Sequence, residues 1–220
     1  MTSPVLIIAG ASASGKTTVA HKLLEIDPQF ELIRSATTRP KRNDSFDEEY
    51  IYVSDDEFKA MISGGEVIEH TFYSGYYYGT PMSEIQRVFA SNKVPLLVLD
   101  INGIKSILEG EEVAGCAIYI YEDLNVLEER LYERYLSKEP SAKGLSSFMV
   151  RKEQNIKDFT VLPENVNCFY SFVKNDDLSL TVDKIRTFFA SFCNGCTKND
   201  SQNTLTAEAL RSQALSKIQE

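Results

Sequence analysis

The stretch Gly10-Ala11-Ser12-Ala13-Ser14-Gly15-Lys16-Thr17 decides the fold of this 220-residue chain. It matches the phosphate-loop pattern G-x-x-x-x-G-K-[ST] at every fixed position. Its glycines let the backbone wrap a phosphate with N–H groups pointing inward, and the N-terminus of the following helix adds partial positive charge. The loop together with Thr18 is the predicted ATP site, where Lys16 reaches the β- and γ-phosphates and Thr17 offers a hydroxyl to Mg²⁺. A Gly/Ser-rich turn with a solvated lysine is the alternative.

The sequence around this loop alternates between strand and helix patterns. Val5–Ala9 is an uninterrupted apolar run, typical of a strand buried on both faces, and Thr17–Ile26 has apolar residues at helical spacing. Two further apolar runs, Val94–Leu99 and Cys116–Tyr121, repeat the strand pattern, and a charged helical segment follows the second. Strands alternating with helices predict an α/β fold with a mostly parallel sheet.

Asp100 follows the strand predicted over Val94–Leu99. An acid at the end of such a strand is the usual second element of a phosphate-loop enzyme, because it lies beside the metal. The pattern therefore predicts that Asp100 helps to hold Mg²⁺. A cap at the end of the strand is the alternative interpretation of the same residue.

Composition and charge narrow the classes of function. Hydrophobic residues make up 43% of the chain and charged residues 25%, as in a globular protein with a buried core. The net charge of −9 argues against a nucleic-acid partner, because a protein that binds nucleic acid needs a basic face. It does not exclude small phosphate ligands, which need only a local basic pocket. No apolar run approaches the roughly 20 residues of a membrane span, so we expect a cytoplasmic protein without a membrane partner. The sequence does not predict an oligomeric state.

The segment 35–80 interrupts the alternation and is predicted to be an inserted lobe. It contains short candidate strands around Tyr50–Val53 and Glu66–His70, and Ser54 with Glu57 predicts a capping box at the start of a helix between them. The lobe opens with Ser35-Ala36-Thr37-Thr38-Arg39-Pro40-Lys41-Arg42, whose cations and hydroxyls suit an anionic ligand.

The predicted organisation has one domain and a tail. The domain spans 1–192, with a core formed by 1–34, 81–123 and 156–192, an acceptor-binding lobe at 35–80 and a helical lid at 124–155. Residues 193–220 form a polar extension, in which Asn194–Thr204 has the composition of a linker and Thr206–Ile218 that of a modest helix. We expect deletion of residues 197–220 to leave kinase activity intact. Cys193 and Cys196 have the spacing of half a zinc site, but the histidines lie far away in the sequence.

Taken together, these motifs resemble the guanylate kinase family from Val5 to about Phe189. The resemblance rests on the phosphate loop, on arginines in the lid and on five further segments: Ser35–Arg39, Glu69, Tyr77-Tyr78-Gly79-Thr80, Leu99-Asp100-Ile101 and Asn175-Asp176-Asp177-Leu178. It implies a three-layer phosphate-loop core with a parallel sheet, an inserted monophosphate-binding lobe and a helical lid. It also implies ATP-dependent phosphorylation of GMP, with dGMP as a further candidate acceptor, and use of ATP and Mg²⁺.

The resemblance further implies roles for single residues. The GMP phosphate would be held by Ser35, Arg39, Arg42, Tyr50 and Tyr78. The guanine base would be read by Glu69 and Thr80, with Asn102 near the position of a further base-binding residue. The transferring phosphate would be approached by Arg134, Arg151 and, on weaker grounds, Arg130.

Some of these residues have structural alternatives. Glu69 could instead be a surface acid beside His70. Thr80 followed by Pro81 is also typical of a helix N-cap and first helical residue. Arg130 lies among glutamates on a helical pattern, so a solvated helix face explains it as well. Tyr76 and Tyr77 are interpreted as packing residues.

The sequence departs from the family pattern at three places. Asp47-Glu48-Glu49 stands where the family has a glycine before Tyr50, and the turn after Asp100 is short, with Asn102 near the position of an aspartate. The lid tip, Ser137–Ser147, is longer than expected. The first two departures concern base specificity rather than catalysis. Two other functions therefore stay open, a kinase for a different phosphate acceptor and a non-catalytic scaffold of the same fold.

Overall fold

The computed structural model describes residues 4–41, 47–73, 75–109, 113–137 and 141–219; within them, the side chains at 47, 73, 102, 106 and 109 are outside the description. The strands are β1 Pro4–Ala9, β2 Phe30–Leu32, β3 Ser35–Thr37, β4 Tyr50–Tyr52, β5 Val67–Tyr73, β6 Tyr76–Pro81, β7 Val94–Leu99, β8 Ala114–Tyr121 and β9 Ser171–Lys174. The α-helices are α1 Lys16–Ile26, α2 Asp55–Ser63, α3 Met82–Ala90, α4 Ile101–Glu109, α5 Leu124–Tyr135, α6 Ala142–Val161, α7 Leu178–Cys193 and α8 Asp200–Gln219.

Five strands form a parallel sheet in the order β2-β7-β1-β8-β9. Phe30 of β2 lies opposite Val94 of β7, and Ile118 of β8 lies opposite Ser171 of β9. This sheet confirms the α/β fold predicted from the alternation of apolar runs and helical patterns. Among the described helices, none is long and apolar enough to cross a lipid bilayer.

The chain divides into two compact units, one formed by 1–7 and 23–115 and the other by 8–22 and 116–220. The first unit contains a four-stranded sheet in the order β4-β3-β6-β5, in which β5 and β6 form an antiparallel hairpin. Ser54 and Glu57 make both bonds of the predicted capping box at the start of α2. The largest buried side chains of this unit are Phe58, Leu6, Ile7, Leu23, Ile85, Leu96, Leu97 and Ile104.

The second unit contains the phosphate loop and helices α5 to α8. Its core is built from apolar side chains of β8, α5, α6 and α7, with Tyr119 packed edge-on against Phe169 at a ring distance of 5.1 Å. Buried residues recur along α5 at Leu124, Leu127 and Leu131, the spacing that presents one apolar face to a core.

The C-terminal helix α8 differs from the sequence-based expectation. It begins at Asp200, inside the stretch predicted to be a linker, and packs on α6 and on the 3₁₀ turn Pro163–Cys168. Asn203, which reads as a polar linker residue, is 3% exposed and donates its amide to the carbonyl of Tyr170 at 3.2 Å. Ala207, Leu210 and Ala214 are buried on the same helix, while Ile218 remains exposed. Composition predicts a linker at the start of this helix because the buried residue there, Asn203, is polar.

Candidate functional sites

The phosphate loop connects β1 to α1 and depends on two glycines for its path. Gly10 and Gly15 have φ angles of +155° and +94°, in the region that side chains rarely adopt. A Cβ atom at Gly10 would lie 2.3 Å from the carbonyl oxygen of Ile120, and one at Gly15 would lie 2.4 Å from Nδ2 of Asn175. The two glycines of the motif are therefore required both by the backbone conformation of the loop and by its packing against Ile120 and Asn175.

Lys16 folds back over the loop. Its Nζ donates hydrogen bonds to the carbonyl oxygens of Gly10 at 2.7 Å and Ala11 at 2.9 Å. The ammonium group is thus held at the loop, where the backbone N–H groups at the start of α1 add further positive potential. Ser14 Oγ is buried in the same loop and has no hydrogen-bond partner among the described residues. An oxyanion would be attracted by the Lys16 cation and would supply an acceptor for the Ser14 hydroxyl, which has no partner among the described residues.

Several side chains distant in sequence bind the loop. Asn175 donates its amide to the carbonyl of Ser14 at 2.7 Å, and Gly15 approaches the same amide closely. Arg130 donates to the carbonyl of Ala13 at 3.3 Å, and Arg151 donates to the hydroxyl of Ser12 at 3.3 Å. Arg130 is consequently part of the loop's surroundings rather than a residue of a purely solvated helix face.

Arg130 also lies near a buried carboxylate. Its Nη2 is 3.9 Å from Glu122, whose side chain is 7% exposed. Burial raises the pKa of Glu122, although Lys174 and Arg130 act in the opposite direction. Arg134, by contrast, is exposed in the last turn of α5 and has no hydrogen-bond or ion-pair partner within the described ranges.

The exposed Asp100 stands between β7 and α4 and caps the helix. Its Oδ1 accepts a hydrogen bond from the backbone N–H of Gly103 at 2.9 Å. The alternative raised from the sequence is a cap at the end of the strand, whereas the bond in the structure lies at the start of α4. One oxygen in a capping bond leaves the second oxygen for other ligands, so the role in Mg²⁺ binding stays a prediction.

In the other unit, Arg39 lies in a cage of tyrosines. The residue is 6% exposed, and its guanidinium carbon is 5.1 Å from the ring centre of Tyr50 and 5.7 Å from that of Tyr52. Its Nη2 donates to the hydroxyl of Tyr52 at 3.1 Å. The ring of Tyr78 meets Tyr50 edge-on at 6.4 Å. A buried guanidinium framed by phenol hydroxyls is chemically suited to a phosphate monoester.

Strand register brings the predicted phosphate residues to this cage. Ser35 lies opposite Tyr50 in the parallel pairing of β3 with β4, and Thr37 lies opposite Tyr78 in the antiparallel pairing of β3 with β6. Arg34, Lys41 and Glu48 line a concave surface together with Tyr50 and Tyr52. Arg42 lies outside the described residues, and so does the side chain of Asn102, whose backbone belongs to the first turn of α4.

Glu69 and Thr80 form a buried polar pair on the β5–β6 hairpin. They lie opposite each other in the register, 6% and 1% exposed, and the Thr80 hydroxyl donates to Oε1 of Glu69 at 2.6 Å. Burial raises the pKa of Glu69 to about 7, opposed by the bonds from Thr80 and assisted by the negative charge of Asp100. Oε2 lies 3.0 Å from the point where a Cβ of Gly103 would stand, so the absence of a side chain there makes room for the carboxylate.

The N-cap alternative for Thr80 is wrong. Helix α3 begins at Met82, the N-cap position belongs to Pro81, and Thr80 is a strand residue. Tyr77 does pack as expected, since its ring stacks on Phe58 at 5.2 Å. Tyr76, in contrast, is 36% exposed.

Sequence reasoning missed two residues of these sites. Tyr52 was not singled out, although it is two residues from Tyr50 on a strand and therefore points to the same side. Asn155 was missed altogether; it hydrogen-bonds the phosphate loop at Ser12, and a lone asparagine among the charges of α6 gives no sign of this in the sequence.

Comparisons with known proteins agree with this arrangement. The family pattern described as guanylate kinase matches residues 2–192. A guanylate kinase of Thermosynechococcus vestitus is 30% identical over 184 residues, which cover 83% of this chain and 91% of that protein. A guanylate kinase of Lactobacillus acidophilus is 34% identical over 144 residues, which cover 64% of this chain and 70% of that protein. The crystal structure of guanylate kinase from Anaplasma phagocytophilum has a similar fold, with a TM-score of 0.59 and 22% identity over 86% of each chain.

Proposed function

Because this chain belongs to the guanylate kinase family, we propose that it transfers the terminal phosphate of ATP to GMP. The observation that carries the acceptor assignment is the buried Glu69–Thr80 pair. The observation that carries the donor assignment is the complete phosphate loop with Lys16 held over it. A scaffold without catalysis has no need of either.

On the donor side, Gly10 to Thr18 would bind the phosphates of ATP and Lys16 would neutralise their charge. The proposed Mg²⁺ ligands are the exposed hydroxyl of Thr17 and, partly through water, the carboxylate of Asp100, because hard oxygen donors suit this ion. When bound, the ion would neutralise charge on the transferring phosphate. The guanidinium groups of Arg130 and Arg151, already hydrogen-bonded to the loop, would stabilise the same charge together with Arg134.

On the acceptor side, Arg39 would bind the phosphate of GMP with Ser35, Arg42, Tyr50 and Tyr78. The cation–π contacts and the hydrogen bond to Tyr52 hold the Arg39 guanidinium in place before the ligand arrives. A preorganised bidentate donor loses less conformational entropy on binding than a solvated one. The acceptor phosphate needs no general base, because its second pKa is near 6 and the attacking oxygen is already mostly anionic at neutral pH.

Guanine presents N1–H and the N2 amine side by side, and one ionised carboxylate can accept both hydrogen bonds. Glu69 is the carboxylate we assign to this task, with Thr80 fixing its orientation. Adenine lacks that pair of donors and would leave Glu69 buried without its charge-assisted bonds. Sites that impose such a penalty discriminate by about 10⁴ to 10⁵.

The reaction also needs water excluded, since water would otherwise accept the phosphate. We propose the segment 35–80 as the acceptor-binding lobe and 124–155 as a lid that contributes the arginines. The core of the domain then comprises 1–34, 81–123 and 156–192. Closure of the lobe and lid with both nucleotides bound would favour transfer to GMP over hydrolysis of ATP.

A substrate competition assay tests this function. GMP, dGMP, AMP, CMP and UMP are supplied separately and as mixtures, with saturating ATP and Mg²⁺, and diphosphate formation is measured. We expect kcat/KM for GMP to exceed that for AMP by at least about 10³. Equal turnover of AMP would indicate a kinase for another acceptor, and no turnover of any monophosphate by folded protein would indicate a scaffold.

A further inference from the structure

Asn155 binds both backbone groups of a single phosphate-loop residue. Its Oδ1 accepts a hydrogen bond from the N–H of Ser12 at 2.7 Å, and its Nδ2 donates to the carbonyl of Ser12 at 3.0 Å. The side chain lies in the middle of α6 and is 1% exposed. A carboxamide is the side-chain group that offers a donor and an acceptor side by side, so it can pair with a peptide unit as a neighbouring strand would.

The position is unfavourable for an asparagine unless these bonds are made. Asparagine is a poor helix former because its side chain competes with the backbone for hydrogen bonds. A buried amide without partners is also destabilising. The presence of an asparagine at this position is therefore explained by its hydrogen bonds to Ser12 and not by helix propensity.

The same helix carries Arg151 one turn earlier, on the same face as Asn155. Arg151 donates to the hydroxyl of Ser12 at 3.3 Å, and its guanidinium carbon lies 5.7 Å from the ring centre of Tyr135. Asn155 thus fixes the backbone of Ser12 to α6, while Arg151 touches the side chain of that residue. Two side chains one turn apart on α6 therefore contact the same loop residue.

We propose that Asn155 is a positioning residue for phosphoryl transfer, which holds the phosphate loop against α6 so that Arg151 is aligned with the transferring phosphate. The proposal rests on the proposed function for its reaction. It predicts a defect in the chemical step rather than in acceptor binding, because Asn155 contacts the donor loop through Ser12 and no contact joins it to the Glu69–Thr80 pair in the described part of the chain. Misplacement of a reacting group by even about 1 Å can cost about 10²-fold in rate.

The kinetic test uses Asn155→Ala with Asn203→Ala as its matched control. Asn203 is also a buried asparagine in the same unit, and its amide donates to the carbonyls of Phe169 and Tyr170. Both variants lose buried hydrogen bonds, so both should lose thermal stability. We expect Asn155→Ala to lower kcat by about tenfold or more with KM for GMP within about twofold, and Asn203→Ala to leave both within about twofold.

A second pair of variants tests whether the effect passes through Arg151. In an Arg151→Ala background, adding Asn155→Ala should cost less than about twofold, because the group it positions is already gone. A full repeat of the tenfold loss in that background would overturn the proposal, as would an unchanged kcat in Asn155→Ala or an equal loss in Asn203→Ala. Should Asn155→Ala fail to fold, Asn155→Asp keeps the size and one acceptor but loses the donor, and is expected to lower kcat by at least about threefold.

An ATP titration separates this inference from the proposed function. Calorimetry with ATP and Mg²⁺ in the absence of any acceptor should show binding to Asn155→Ala weakened by at least about fivefold, since the loop has lost an anchor, and unchanged binding to Asn203→Ala. Unchanged ATP affinity in Asn155→Ala would overturn the proposal. Absence of GMP turnover in the wild type, with the affinity loss present, would instead refute the acceptor assignment alone.

Discussion

The phosphate loop and the Glu69–Thr80 pair both contain buried polar groups, but the two regions differ in how these groups are hydrogen-bonded. In the loop, backbone carbonyls and the amide of Ser12 are satisfied by Lys16 of the loop itself and by side chains from distant parts of the sequence, among them Asn155 and Asn175. In the hairpin, a buried carboxylate takes its bonds from one neighbouring residue, and burial raises its pKa to about 7. The loop is preorganised without its ligand, whereas Glu69 is only fully stabilised as an anion when a ligand supplies donors.

The two regions are therefore expected to determine different properties: the loop binds the triphosphate of the donor, and the hairpin selects the base of the acceptor. A preorganised loop lowers the cost of ordering and binds the triphosphate tail that all nucleoside triphosphates share. An under-satisfied buried carboxylate instead penalises every base that lacks paired donors. The comparison predicts that damage to the loop lowers turnover for all acceptors, while damage to the hairpin changes mainly the choice of acceptor.

The largest effect is expected from Lys16→Ala. Its ammonium group lies on the loop carbonyls in the free protein and would stabilise charge on the phosphates during transfer, so its loss should lower kcat by about 10³-fold for any acceptor. Steady-state kinetics measures this, and thermal melting checks the fold. Lys22→Ala, which removes a positive charge from the same helix, should keep most of the activity. An alanine variant at 16 that retained more than about a tenth of wild-type turnover would contradict the role of the loop.

Glu69→Gln is the sharpest test of the hairpin. The amide replaces one acceptor oxygen by an NH₂ group that faces a guanine donor, which should cost about 2–4 kcal/mol in kcat/KM for GMP. ATP affinity should barely change, and the activity with AMP, expected to be weak in the wild type, should fall far less or rise. Glu66→Gln, at an exposed glutamate three residues earlier, serves as the control. A change of less than about twofold with both monophosphates would remove the argument for guanine.

The raised pKa of Glu69 gives a smaller effect that depends on pH. The ionised carboxylate accepts the guanine donors, so GMP binding requires loss of the proton as the pH rises through about 7. Between pH 8 and pH 6 the ionised fraction falls about tenfold, and kcat/KM for GMP should fall with it. The acceptor phosphate titrates near pH 6 in every variant. The ratio of wild type to Glu69→Gln therefore isolates the carboxylate, and a ratio that is constant over this range would contradict its titration.

Local sequence patterns predicted the elements whose causes are local. The strand, loop and helix from Val5 to Ile26 follow from apolar runs and from glycine positions that nothing else can fill. The strand over Val94–Leu99 matches its predicted bounds, and the capping box at Ser54 needs only four consecutive residues. The base-reading pair Glu69 and Thr80 came from the family resemblance, and the structure brings the two side chains together.

Features that depend on long-range partners were not predictable in the same way. Asn155 acts on a residue 143 positions away, and no local pattern distinguishes it from a solvated helix residue. The start of α8 is not predicted from composition because Asn203 is polar. In the structure Asn203 is buried, and its amide donates to carbonyls that precede it by more than 30 positions. The packing of α8 on α6 adds an expectation about stability: removal of residues 197–220 should expose apolar surface of α6 and lower the free energy of unfolding. That this removal leaves kinase activity intact stays a prediction.

The smallest predicted effect concerns the bond between α8 and the start of α5. Asp123 occupies the N-cap of α5 but makes no capping bond with its own side chain; Gln213 of α8 accepts from the N–H of Leu124 at 3.0 Å and donates to Asp123 at 2.9 Å. Gln213→Ala leaves a helix-terminal donor unpaired and should lower the free energy of unfolding by about 1 kcal/mol, the usual worth of an N-cap.

Chemical denaturation measures this loss. Gln202→Ala supplies the matched control, because Gln202 is an exposed glutamine on the same helix whose side chain reaches only Thr206 among the residues that the structure describes. Kinetics with GMP should stay within about twofold for both variants, since neither residue contacts the loop or the hairpin among the described residues. Equal stability of the two variants would show that α5 does not depend on α8 for its cap. A large loss of kcat in Gln213→Ala, with stability retained, would instead mean that α8 influences the lid arginines through α5.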